Sequence, residues 1–200
     1  MTEMVQTFDR PFPGSAGMIN RTLSLRSSNL AESRTVLAAQ AINEFKATHI
    51  LFLDSDMEFP PHTLHRLLAH DVPFVACNYA KKKFPIECTA SRGMDADLKH
   101  DRNIPDDDNA LVPVEGIGFG VTLIHADVFL SVPRPWFQFT EEVTNNGQHY
   151  FHGEDYSFCQ KVREAGIPIY VDTVLSKEIG HVGAFTYRLG MNAPGDAARY

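Results

Sequence analysis

Residues 48–57 read THILFLDSDM, an apolar run of four that ends in two aspartates separated by one serine. A short continuous run such as Ile50–Leu53 fits a central strand buried on both faces, the pattern of a parallel sheet with helices on either side. Two like charges at its end need an explanation. In extended chain, side chains two apart point the same way, so Asp54 and Asp56 would converge on one hard cation or its water shell. Such an ion offsets a repulsion that otherwise raises a carboxylate pKa. The same two residues could instead cap the next helix.

The surrounding chain alternates in the way that an α/β sheet requires. Residues 18–25 (MINRTLSL) read as a strand, and 30–45 carry helix formers with apolar positions at Val36, Ala39, Ile42 and Phe45. After HILFL at 49–53 come a proline-opened helix over 60–70 and a further strand over 72–80. Strand, helix, strand, helix, strand predicts right-handed crossovers and a mostly parallel sheet. Residues 81–113 are polar and proline-broken, which predicts an irregular excursion, and the run Asp106–Asp108 within it reads as solvated loop. Order returns with a strand and short helix over 118–129, a helix over 153–166 ending at Gly166, and a strand over 167–172; residues 188–200 form a tail.

Composition bounds the possibilities. Two hundred residues, 44% hydrophobic and 22% charged, suit one domain with a real core, spanning residues 1–200. A net charge of −7 argues against broad binding of nucleic acid, although AKKK at 80–83 leaves room for a local phosphate contact. Cys77, Cys88 and Cys159 are odd in number and far apart, which points to buried free thiols rather than disulfides or a structural zinc site. No apolar stretch is long enough to span a membrane and the first residues lack a signal-peptide layout, so a soluble cytoplasmic protein is expected.

Two further constellations carry chemistry. In GEDYSF, Glu154 and Asp155 sit at a helix start, where carboxylates interact well with the dipole and where one could act as a general base. In IGHVGAF, His181 lies between glycines that let backbone and imidazole approach a ligand, and histidine is a common metal ligand; a polar surface histidine is the alternative.

Taken in order, LFLDSDMEFPP, EGIGFGVTLIHADVF and HGEDYSFCQKVREAGIPIYVDTVLSKEIGHVG resemble the GT-A glycosyltransferases that use nucleotide sugars, most of all small family-2-like members of the kind found in viruses and phages. The resemblance spans roughly residues 30–187. It implies a single-domain, Rossmann-like α/β fold and a hexosyltransferase-type enzyme, in the host cytoplasm if the chain is viral. Such an enzyme moves a sugar from a nucleoside-diphosphate donor to the free hydroxyl of a glycan, protein, small molecule or modified base. The implied cofactor is Mn2+ or Mg2+, held by Asp56 with Asp54 and His181, while Asp54, Ser55, Asp56 and Arg34 lie near the nucleotide. Asp155 resembles the catalytic base of an inverting transfer, and Glu154 an orienting group. Gly118, Phe119 and Gly120 would floor the sugar site, and Trp136 would offer an acceptor wall or serve as a partly buried anchor. Relatives open with a strand that grips the nucleotide base; here MTEMVQTF resembles the helix after that strand, so the first strand is expected to be absent. Two alternatives are a non-catalytic nucleotide-sugar or glycan binding module and a nucleotidyltransferase, though the glycine-rich phosphate loop usual in the latter is missing near the N-terminus.

Overall fold

The structure is a computed structural model that describes residues 6–8, 21–25, 27–94, 99–105 and 111–199. Asp106–Asp108 and the first three residues of the strand expected over 18–25 lie outside these; the remainder holds a short β2 at Thr22–Ser24, which pairs with β1, Gln6–Phe8, a strand where MTEMVQTF was expected to resemble a helix. Helix α1 runs from Leu30 to Asn43, started by Asn29, whose side chain accepts from the Glu32 N–H at 3.2 Å. Then come β3 (His49–Leu53), β4 (Met57–Glu58), α2 (Thr63–Ala69), β5 (Phe74–Ala76), β6 (Leu111–Val114), β7 (Val121–His125) and α3 (Ala126–Ser131). The chain continues with β8 (Thr140–Val143), β9 (His149–His152), α4 (Glu154–Glu164), β10 (Ile169–Asp172), α5 (Thr173–Ser176), β11 (Gly180–Val182) and β12 (Thr186–Tyr187), and ends in a 3-10 turn, Pro194–Arg199.

The main sheet has the order β3-β7-β5-β10-β6. Only β5 and β10 run parallel; β3–β7, β5–β7 and β6–β10 are antiparallel. The expectation of a mixed, mostly parallel sheet is therefore corrected in one respect: the sheet is mixed, but three of its four pairings are antiparallel. An apolar run reports burial on two faces and not strand direction, and β7 and β5 are buried because they are central. HILFL, expected in the middle, lies at the edge among the described residues, and only Phe52 in it is buried.

Alternation along β5 separates two cores. Phe74 and Ala76 join Ala38, Phe52, Phe119, Phe129, Phe158 and Val162 beneath α1, α3 and α4. Val75 and Cys77 join Leu67, Leu123, Leu175 and Ile179 beneath α2 and α5. The first face is an aromatic cluster in which Phe137 and Phe158 stack at 4.8 Å and Phe119 meets Phe52, Phe74, Phe137 and Phe158 at 5.5–5.8 Å. Buried aromatics of this size dominate core energetics. The opposite face is pinned by Asp172, fully buried, which accepts from Arg66 Nε at 2.6 Å and the Leu175 N–H at 2.8 Å, with His70 Nε2 at 2.8 Å. Burial pushes that carboxyl up, but these partners outweigh it and hold it below its ordinary range.

Helix α4 has Glu154 and Asp155 in its first turn and Lys161 and Arg163 in its last, matched to the helix dipole. It stops where Gly166 takes φ +76°, a left-handed conformation that favours glycine. A three-stranded sheet, β12-β11-β4, pairs His181 with Met57. The excursion expected over 81–113 is irregular through its first part, but its end forms β6, paired with β10. Cys77, Cys88 and Cys159 are free thiols. Among the described residues no helix is long and apolar enough to cross a membrane.

Truncating the centre of the aromatic cluster should be severe. Phe158→Ala, at a side chain with no exposed surface, should lower unfolding free energy by about 3–5 kcal/mol in a denaturant titration.

Candidate active site

Straight after β3 the chain turns, with the Met57 N–H donating to the Asp54 carbonyl at 3.2 Å. That turn decides what the DSD carboxylates can do. Alternation puts side chains two apart on one face only while the chain stays extended, and here Asp54 and Asp56 diverge. Asp54 Oδ1 accepts from Arg34 Nη2 at 2.9 Å, whereas Asp56 Oδ2 accepts from Lys82 Nζ at 2.6 Å. Ser55 is exposed between them. The two carboxylates, expected to converge on one cation, thus face different partners. Among the described residues no group of three histidine, cysteine, aspartate or glutamate side chains comes together as a metal cage.

His181 does reach Asp56. The pairing of β11 with β4 carries it there, and its Nε2 lies 3.4 Å from Asp56 Oδ2. Its Nδ1 lies 2.8 Å from the Ala80 carbonyl, which can only accept, so Nδ1–H is the donor there and Nε2 is left on the Asp56 side. One carboxylate and one oriented imidazole nitrogen suit a divalent ion whose remaining positions are filled by a ligand and water. Burial raises the Asp56 carboxyl, but the hydrogen bond from Lys82 and the charges of His181 and Lys82 outweigh it and hold it below the usual range.

Arg34, expected beside a nucleotide, is instead a buried clamp. It is 4% exposed, donates from Nη1 to Glu154 Oε1 at 2.5 Å as well as to Asp54, and lies 5.3 Å from the Phe119 ring centroid. Glu154, expected to orient substrate, is 6% exposed and serves as Arg34's second anchor.

Asp155, one residue further along α4, points elsewhere. It lines a cleft of about 220 Å³ together with Tyr79, Gly118, Arg102, Tyr150 and Tyr156. Burial first, and then the neighbouring Glu154 charge, push its carboxyl up to about 6. Its Oδ1 accepts from the Tyr156 N–H at 2.8 Å. Gly153 makes that position possible, because a Cβ there would sit 2.7 Å from Asp155 Oδ1.

The glycines of GIGFG have a packing task, and Gly118 also lines the cleft. A Cβ on Gly118 would lie 2.5 Å from Tyr79 Oη, and one on Gly120 would lie 2.8 Å from the Tyr79 ring. The missing side chains admit a tyrosine, which accepts from the Gly120 N–H at 3.2 Å and meets the His181 ring edge-on at 5.3 Å. Phe119 has no exposed surface and belongs to the core. Trp136 is likewise buried, 3% exposed, with its indole N–H donating to the Phe129 carbonyl at 3.0 Å. Of its two expected roles, the anchor is the one seen, since a satisfied indole N–H removes the cost of burying the ring.

Residues not singled out from the sequence complete the site: Tyr79, Lys82, His100, Arg102 and Tyr156. Lys82 was visible in AKKK as a charge without an address. His100 and Arg102 lie in the irregular excursion, where no periodicity places them.

No protein-family model matches the chain, and no curated protein matches it. Among solved structures, A197 from STIV is similar, with a TM-score of 0.53 and 18% identity over 79% of this chain and 70% of that one. The likeness is one of fold.

Removing the clamp should strand two carboxylates, one of them buried. Arg34→Met should cost about 3–5 kcal/mol, the usual loss when one partner of a buried ion pair is deleted, measured by chemical denaturation.

Proposed function

We propose that the chain is a glycosyltransferase that moves a sugar from a nucleoside-diphosphate donor to an acceptor hydroxyl. The observation that carries this reading is the division of labour at the mouth of the sheet. Arg34 ties the DSD turn to the start of α4, with Asp54 and Glu154 as its anchors. That leaves Asp56 with His181 on one side of Tyr79 and Asp155 in the cleft on the other.

In this reading Asp155 takes the proton from the acceptor hydroxyl as the acceptor oxygen forms its bond to the anomeric carbon. The bond from that carbon to the phosphate oxygen breaks, and the nucleoside diphosphate leaves with the electron pair. Attack opposite the leaving group inverts the anomeric centre. A carboxyl near 6 is ionised at neutral pH yet more basic than a free aspartate, as a general base requires. Asp56 and His181 are the residues that would hold a divalent ion, whose chemistry when bound is to stabilise charge on the departing diphosphate. Asp54 is committed to Arg34 and supports the turn. The expected aromatic acceptor wall passes from Trp136 to Tyr150 and Tyr156, which line the cleft.

Four measurements test the reading. Calorimetry with nucleoside diphosphates, with and without manganese, should show binding that weakens in Asp56→Ala and His181→Ala; no nucleotide binding under any metal condition overturns the proposal. Asp155→Asn should lower kcat by roughly 10²–10⁴ while nucleotide still binds. The active form of Asp155 is the carboxylate, so kcat/KM should rise with pH, level off above about 6 and fall tenfold per pH unit well below it. Gly153→Ala keeps an allowed backbone, with φ −63° and ψ 163°, but displaces the Asp155 oxygen. Turnover should fall by about 100-fold for a stability change of about 1 kcal/mol or less.

A further inference from the structure

The cleft that holds Asp155 is bordered by basic side chains that the transfer chemistry does not use. Lys81, His100, Arg102 and His152 all line it. Arg102 is the centre of this group. Its Nη1 donates to the Cys88, Thr89 and Ala90 carbonyls at 2.8, 2.9 and 3.3 Å and to the Tyr156 hydroxyl at 3.1 Å. Every one of those acceptors is neutral. Among the described residues Arg102 has no carboxylate partner, so a permanent positive charge is fixed beside the cleft and held in place by backbone.

The neighbours do little to cancel it. Lys81 reaches Glu87 at 3.4 Å, and His152 Nε2 lies 3.0 Å from Glu142 Oε2. His100 hydrogen-bonds through its two ring nitrogens to the Ser91 and Tyr150 hydroxyls, at 3.1 and 3.0 Å. Asp155 is the carboxylate on the cleft wall. The local field is accordingly positive. Burial, then Arg102, Lys81 and His152, push the His100 imidazole down to about 4, and burial and Arg102 hold the Lys81 ammonium below its ordinary value despite Glu87. A charge held by neutral acceptors in a partly desolvated cleft is stabilised by an anionic ligand that completes the pairing.

We infer that this cleft selects an acceptor bearing an anionic group, phosphate or carboxylate, which pairs with Arg102 and Lys81 and brings the acceptor hydroxyl to Asp155. The word acceptor rests on the transferase reading; the anion site stands on the geometry alone. Tyr150 and Tyr156 give the body of such an acceptor two aromatic walls. The arrangement also explains why a protein of net charge −7 keeps a local cluster of cations. An acidic chain repels anions in general, and a focused positive cleft admits them at one place.

The test titrates inorganic phosphate into the full chain at constant ionic strength and follows the histidine Cε1–H NMR signals. Bound phosphate should raise the His100 midpoint from about 4. Lys81→Met should weaken phosphate binding roughly tenfold, the loss of one charge-assisted hydrogen bond, with near-native thermal stability. Arg102→Gln also loses three carbonyl contacts and risks the fold, so Lys81→Met carries the comparison. In turnover assays, a phosphorylated sugar, a carboxylated sugar and a neutral sugar distinguish the two anion sources from no preference. A lower KM for either anionic acceptor supports the inference, and the pair of values says which anion fits. Equal KM for the neutral sugar, with no effect of phosphate on His100, overturns it. So does displacement of phosphate by a nucleoside diphosphate, which would assign these cations to the donor. Phosphate binding is read without donor or turnover, so inactivity towards every nucleotide sugar would defeat the transferase reading while the anion site is still decided by NMR.

Discussion

One guanidinium holds the site together. Arg34 reaches from α1 to the end of β3 through Asp54 and to the start of α4 through Glu154, with Phe119 beneath it. Its two partners are separated by 100 residues of chain, from 54 to 154. A buried ion pair contributes little net stability, because desolvating the charges costs about what their attraction returns. What it supplies is position. Planar, always charged and carrying several fixed donors, an arginine can hold two carboxylates in one geometry where a lysine offers a mobile point charge. Every displacement of α4 relative to the sheet edge must therefore stretch a hydrogen bond of 2.5 or 2.9 Å.

That clamp sorts four carboxylates into two kinds. Asp54 and Glu154 are consumed by it, and their neighbours Asp56 and Asp155 are left facing outward in contrasting environments. Asp56 sits between Lys82 and His181 and stays acidic; Asp155 has burial and a nearby negative charge and becomes basic. Two pairs of adjacent or near-adjacent acids thus yield one low and one high carboxyl group, the separation on which the proposed roles of Asp56 and Asp155 depend. The sequence spacing alone, DSD and GED, does not distinguish the anchor from the free member of each pair.

The legible part of the fold was the part governed by local periodicity. HILFL, the helix at 30–45, the helix at 153–166 and the strand at 167–172 are close to their observed extents because each has its apolar spacing written locally. Strand direction was not legible. β7 (VTLIH) is buried through its first four residues because it lies between β3 and β5 with helices on both faces, and that burial is the same for either polarity. The β8–β9 hairpin had a signal in TNNGQ, where Gly147 takes φ +80°. For the site, Asp155 and His181 were singled out through the family resemblance, and the structure sets Asp155 on the cleft and His181 beside Asp56; Arg34 and Phe119, expected to face a ligand, are buried, and Trp136 takes the anchor role of the two expected for it. Charge and aromaticity mark a residue as a candidate for contact with a ligand, but the same properties let it pair with its own protein.

Tyr79 shows how the two halves of the site are coupled. Its ring touches His181 on one side and fills the hollows left by Gly118 and Gly120 on the other. Burial, then the Asp54 and Asp155 charges, push its hydroxyl well above its ordinary value, so it stays a neutral phenol throughout the range in which Asp155 ionises. A neutral wall therefore separates the Asp56 and Asp155 carboxyl groups without adding charge to either side. The glycines are a consequence of this arrangement rather than of a need for open space. A side chain at residue 118 or 120 would drive the phenol towards His181 or into the cleft, and either movement would disturb one carboxylate through the other's neighbour. The compactness of GIGFG is therefore a packing constraint, imposed by one tyrosine, on where the Asp56 and Asp155 carboxyl groups can lie.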